Sequence, residues 1–195
     1  MYDLPTSIYI NDREYPIRNH GDYRMVIDCF IALNDSELDK SHRIATSLVI
    51  FYDGLDEDTD LAEFFEGNLE SAIREMFSFM NCGQPESAKP QSFSVFNWKT
   101  DAQLISGSVN AVAGKELRAE PYVHWWTFMG YYSNIGEGSF STIVGIRYKI
   151  KKGKKLEKYE RDFKRDSPQY FHWEEKSHED FEAEEYIKNI WNSGG

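Results

Sequence analysis

Six aromatic side chains fall within eleven residues of this chain: Tyr122, Trp125, Trp126, Phe128, Tyr131 and Tyr132. Each buried ring of this kind removes about 150–250 Å² from water. Six together hide on the order of 1,000 Å², a gross gain of roughly 25 kcal/mol as an upper bound. Left exposed, they would exceed the apolar patch of a few hundred Å² that a soluble monomer tolerates. The segment is therefore expected to be core, with one or two rings at its margin open to a partner. On a helix beginning near Pro121, Tyr122, Trp125, Phe128 and Tyr132 form one stripe with Trp126 beside it. His124, set among buried neighbours, reads as a hydrogen-bonded core histidine rather than a catalyst.

The pattern elsewhere predicts a mainly α protein with a small N-terminal β-hairpin and two helical lobes joined by a polar linker. Short apolar runs at residues 7–10 and 14–18 flank Asn11-Asp12-Arg13, a hairpin signal. Helical spacing follows from Met25 to Leu33, from Ile44 to Tyr52 and from Leu61 to Met80, the last stopping at Asn81-Cys82-Gly83. Residues 1–82 form the expected first lobe and 83–98 the linker. Residues 99–165 form an aromatic-rich second lobe, with helices from Lys99 to Glu116, through the aromatic segment, from Phe140 to Ile150 and over 154–165. β-Branched residues at 142–148 leave a strand as the alternative there. Residues 166–195 form an acidic tail with a short helix candidate from Asp180 to Trp191.

Charge narrows the function classes. The net charge is −11, made of −11 over residues 1–80, −1 over 81–146, +7 over 147–165 and −6 over 166–195. An acidic protein repels phosphate on average, so nucleic acid is a disfavoured partner. The basic run Arg147, Lys149, Lys151, Lys152, Lys154 and Lys155 is the one polar feature that suggests docking; its plainer reading is a solvated helix end. Trp126 and Tyr131 are the aromatic candidates for the same partner role. Cys29 and Cys82 lack CxxC or metal-ligand spacing and read as free thiols. The five histidines form no HExxH-like pair, and no nucleophile elbow, phosphate loop or dinucleotide fingerprint is present. The acids of 53–60 lack the calcium-loop spacing and read as helix caps. No enzyme, cofactor or metal is expected. Neither a secretory leader nor an apolar run of membrane-spanning length is seen.

Several segments, taken in order, resemble the bacteriophage gene-product-fifteen family of tailed phages and prophages: "IYINDREYPIR", "DYRMVIDCF", "MFSFMNCG", "FNWKTDAQLISGSV", "VHWWTFMGYYSNI" and "STIVGIRYKIKKGKK". The most specific elements are His124, Trp125 and Trp126 with Phe128, and Val144-Gly145-Ile146-Arg147; the aspartate-led helix from Asp101 is a weaker third. Ala113-Gly114-Lys115-Glu116-Leu117 departs from the family's pattern, as does the acidic tail. The resemblance implies a tail-morphogenesis protein of the assembly-chaperone kind, acting in the cytoplasm of the bacterial host. Its implied partners are the tape-measure protein and the tail-tube protein, with no catalytic residues to carry over; separately, the negative N-terminal lobe and the positive 147–155 stripe permit head-to-tail self-association. Amphipathic helices at 24–33, 43–52 and 61–80 are candidates to receive an apolar stripe. The competing readings are a structural head–tail or tail-completion component, and a single-strand nucleic-acid binder using the 147–155 lysines with Tyr122, Trp125 or Trp126.

Overall fold

Residues 3–84 and 95–171 are described by the structure, a computed structural model. They are mainly helical, with one two-stranded hairpin, and they divide into two units. The first comprises residues 3–84 and 122–129, the second residues 95–121 and 130–171. The Asp180–Trp191 helix candidate and residues 85–94 of the expected linker lie outside the described residues.

In the first unit, β1 (Ser7–Ile10) pairs antiparallel with β2 (Arg13–Pro16), Ile10 facing Arg13. The loop is just Asn11 and Asp12, at φ 48° and 64°. Two successive left-handed residues give the turn whose twist matches a hairpin, and Asn and Asp tolerate that region best after glycine. Ile8, Ile10 and Tyr15 face inward and are buried. Four helices follow: α1 (Tyr23–Leu33), α2 (Lys40–Phe51), α3 (Leu61–Phe64) and α4 (Leu69–Met80). Aspartates start three of them. Asp22 accepts from Arg24 N, Asp39 from His42 N, and Asp60 from Ala62 N and Glu63 N. Each carboxylate satisfies a helix donor that has no intrahelical partner and places negative charge at the positive end.

The inner faces of α1, α2 and α4 are consumed by the unit's own core, which includes Val26, Cys29, Leu48, Phe51, Ala72 and Met76. The apolar stripes proposed from sequence as receptors for a partner helix are therefore packed within this unit. Ser47 Oγ donates to Arg43 O and Cys29 O where α1 and α2 pack against each other. The Tyr52 hydroxyl, fully buried, donates to Ala72 O at 2.8 Å, and burial pushes its pKa up. The helix expected over 61–80 is two helices. Glu66 and Gly67 adopt φ 51° and 78°, and Gly67 N reaches back to Ala62 O while Glu66 N reaches Glu63 O. That double bond ends α3 and leaves Phe65 fully buried.

The second unit contains α5 (Ala102–Ala113), the last turn of α6 (Trp125–Ser133), α7 (Ser139–Lys151) and α8 (Lys158–Asp166). Gly114 at φ 70° closes α5, which is shorter than the sequence suggested. The β-branched stretch at 142–148 is helical: Ile143 and Ile146 face inward with Ile105 and Val109 of α5 also buried. Phe96, Trp98, Tyr132 and Phe140 form an aromatic cluster with centroids 5.2–6.0 Å apart. The unit boundary falls inside the aromatic segment. Residues 122–129, expected in the second lobe, belong to the first unit, and Tyr132 belongs to the second.

Candidate functional site

The candidate residues lie in two places, one in each unit. In the first unit, Asp22 organises the entry of the aromatic segment. Its Oδ1 caps α1, while its Oδ2 accepts the Val123 N–H at 3.0 Å. Tyr23 N donates in turn to Val123 O at 2.9 Å, and Asp22 and His124 form an antiparallel bridge. Residues 122–124 are thus extended, paired to the start of α1, and the helix begins only at Trp125. Tyr122 is consequently not part of a helical stripe. It is 44% exposed, with its hydroxyl donating to His20 O.

His124 is 2% exposed and has a defined tautomer. Trp126 N–H donates to Nδ1 at 3.1 Å, so Nδ1 carries no proton; Nε2–H then donates to Pro5 O at 3.0 Å. Burial lowers its pKa, opposed by the Pro5 bond and by Asp22, so the ring is held neutral. Both ring nitrogens are occupied, Nδ1 locally by Trp126 and Nε2 by the distant Pro5. Phe79 stands edge-on to the imidazole at 5.5 Å.

The two tryptophans share one task. The α4 helix ends with Gly83 N bonded to Ser78 O and Cys82 N to Phe79 O, with Cys82 at φ 56° and Gly83 at φ 67°. Phe79 O thus has a backbone donor, while among the described residues the ending supplies none to Met80 O. Trp125 Nε1 donates to Met80 O at 2.8 Å and Trp126 Nε1 to Phe79 O at 2.9 Å. Consecutive indoles thus cap consecutive carbonyls. Trp125 is 1% exposed and stacks on Phe128, which stacks on Tyr23 at 4.5 Å. Trp126 is half-buried at the margin. Gly21, at φ 77°, fits because a Cβ there would stand 2.7 Å from Phe79 Cζ and 3.1 Å from His124 Nε2.

In the second unit, Arg147 is not available to a partner, contrary to its place in the basic docking run. Its guanidinium is 5% exposed and binds Asp101 through both arms, Nη1 to Oδ2 at 2.6 Å and Nη2 to Oδ1 at 2.9 Å. Nε donates to Tyr170 O and Nη1 also to Val95 O. Asp101 Oδ2 further accepts Asn97 N, so this carboxylate ties the approach to α5 instead of capping it. A buried guanidinium requires such a bidentate partner and occupied remaining donors.

The rest of the run is dispersed rather than one stripe. Lys149 Nζ bonds Glu160 Oε1 at 2.6 Å, which holds the Glu160 carboxyl below its ordinary range and raises the Lys149 pKa. Lys151 is half-buried on the last turn of α7. Gly153 at φ 61° ends that helix, with Lys154 N bonded to Lys149 O. Lys152, Lys154 and Lys155 are exposed, and Lys154 lies over the Tyr148 ring. Tyr131 is half-buried. Nothing in the local sequence signals that Asp22 receives the Val123 N–H or that Asp101 pairs with Arg147. Each lies in a segment that carries the family resemblance, but its partner is 101 or 46 positions away.

Among the described residues, no group of three metal-ligating side chains converges and no helix is long and apolar enough to cross a membrane. The fold and these sites define a hairpin-led helical protein whose most distinctive side chains tie distant chain segments together. Residues 1–172 match the Bacteriophage Gp15 protein family, and the chain belongs to it. It is thereby a phage structural or morphogenesis protein. No curated protein and no solved structure matches it.

Proposed function

We propose that the chain is a non-catalytic, chaperone-like tail assembly protein. It binds the tape-measure protein, recruits tail-tube subunits, or does both, in the cytoplasm of the bacterial host. Family membership over residues 1–172 is the observation that carries this reading. The geometry is consistent with it. His124, Trp125 and Phe128 serve packing, while half-buried Trp126 and Tyr131 and the exposed Lys152, Lys154 and Lys155 remain at the surface for a partner. Arg147 leaves that set because its charge is spent on Asp101.

Co-expression with the tape-measure and tail-tube proteins of the same phage tests the proposal. Copurification with either, and a more soluble tape-measure protein, is expected. Failure of both overturns it. Mass spectrometry of purified virions separates the reading from that of a structural head–tail or tail-completion component, which would be found in the finished particle.

A further inference from the structure

We propose that copies of this chain associate head to tail, the acidic surface of residues 53–70 on one copy meeting the basic surface of residues 149–158 on the next. The inference stands apart from the tape-measure reading, because it concerns the purified chain alone. Residues 53–70 hold eight acids and no base. All eight are exposed, among them Asp56, Glu57, Asp58, Glu63 and Glu70. Two meet bases of their own unit: Asp53 pairs with Arg18 and Glu66 with Arg13. The basic surface of residues 149–158 has six lysines and one acid, Glu157. Lys149 is bonded to Glu160; Lys154, Lys155 and Lys158 are exposed, and Tyr159, 64% exposed, adds a ring for contact.

Charge complementarity selects the occupant. Nucleic acid would meet the lysines but leave the eight acids of 53–70 unmatched. A second copy offers the matching acids in a dense run without interspersed bases. The two surfaces differ, so the contact is heterologous, and one copy can both give and receive it. Complementary surfaces of this kind set partner choice and register.

Sedimentation velocity over a concentration series tests the proposal. In about 0.1 M salt the Debye length is about 10 Å, which damps net repulsion between copies more than it damps contact pairs; in about 1 M it is about 3 Å. Weight-average mass is expected to rise with concentration at the lower salt and return to monomer at the higher. Two charge-reversed chains then fix the surfaces: Lys155→Glu with Lys158→Glu, and Glu57→Lys with Asp58→Lys. These are exposed side chains outside the packed core. Each chain alone is expected to self-associate more weakly than the wild type, with an unchanged circular dichroism spectrum. Their equimolar mixture is expected to regain association as a pair, since the first chain keeps all eight acids of 53–70 and the second keeps all six lysines of 149–158. A wild-type chain that stays monomeric at hundreds of micromolar in the lower salt overturns the proposal. So does a mixture that remains monomeric. Zero-length carbodiimide cross-links in a mixture of light and heavy chains should join 149–158 of one copy to 53–70 of another; links confined within single chains also overturn it.

Discussion

Trp125→Phe, set beside Trp126→Phe, isolates what the paired indoles contribute. Trp125 is 1% exposed and its Nε1 is bonded to Met80 O, itself on a residue 4% exposed. Phenylalanine keeps the ring in the core but removes the donor, and water has no access to replace it. An unsatisfied buried carbonyl costs about 1–3 kcal/mol, and the smaller ring leaves a void costing about 1 kcal/mol more. The sum is about 2–4 kcal/mol. Trp126 is half-buried, and Phe79 O keeps its bond from Cys82 N. That loss is about 0.5–1.5 kcal/mol, with solvent able to substitute. At a urea slope of about 2 kcal/mol per molar, Trp125→Phe lowers the unfolding midpoint by about 1–2 M and Trp126→Phe by under about 1 M. Far-UV circular dichroism follows the transition, since both substitutions alter fluorescence. Hydrogen exchange should show the Asn81–Gly83 amides opening more in the Trp125 variant. Equal midpoint shifts, or a larger one for Trp126, would refute the claim that burial of the capped carbonyl sets the cost.

Asp101→Asn strands the buried Arg147 charge and is expected to cost about 3–5 kcal/mol; the double variant Asp101→Leu with Arg147→Met should recover much of that in the same urea assay. Cys82→Gly relieves a left-handed residue at φ 56° and should stabilise by about 0.5–1 kcal/mol, read as a higher melting midpoint. Gly21→Ala meets both φ 77° and a 2.7 Å overlap with Phe79, and should cost about 2–4 kcal/mol by urea titration. His124 has its pKa depressed below the ordinary value of 6.5 by burial. The unfolded chain therefore binds the proton more readily, so stability is complete above that value and is lost as pH falls through the lowered folded one. Urea midpoints from pH 7.5 to 5 should fall in the wild type, and the slope should be shallower in His124→Asn.

What was legible in the sequence was carried by neighbours along the chain. Asn11-Asp12 names the hairpin loop, and Asp60, among the acids of 53–60 that read as helix caps, starts α3. The single helix drawn over 61–80 shows where such reading fails. Apolar residues keep helical spacing across Glu66-Gly67, yet a left-handed pair there lets the chain turn and bury Phe65. Tyr122 shows the converse: its spacing to Trp125 suits a helix, but a backbone pairing to Tyr23, far away in sequence, holds residues 122–124 extended. The basic run was overcounted for a related reason. A charge tally treats Arg147 and Lys154 alike, though one is locked to a carboxylate 46 positions earlier and the other is at the surface. His124, Trp125 and Trp126 are informative because their polar atoms answer Pro5, Met80 and Phe79, obligations from separate parts of the chain. Such obligations leave no period to read. A motif made of them can therefore identify a fold while its own spacing says little about what each residue does.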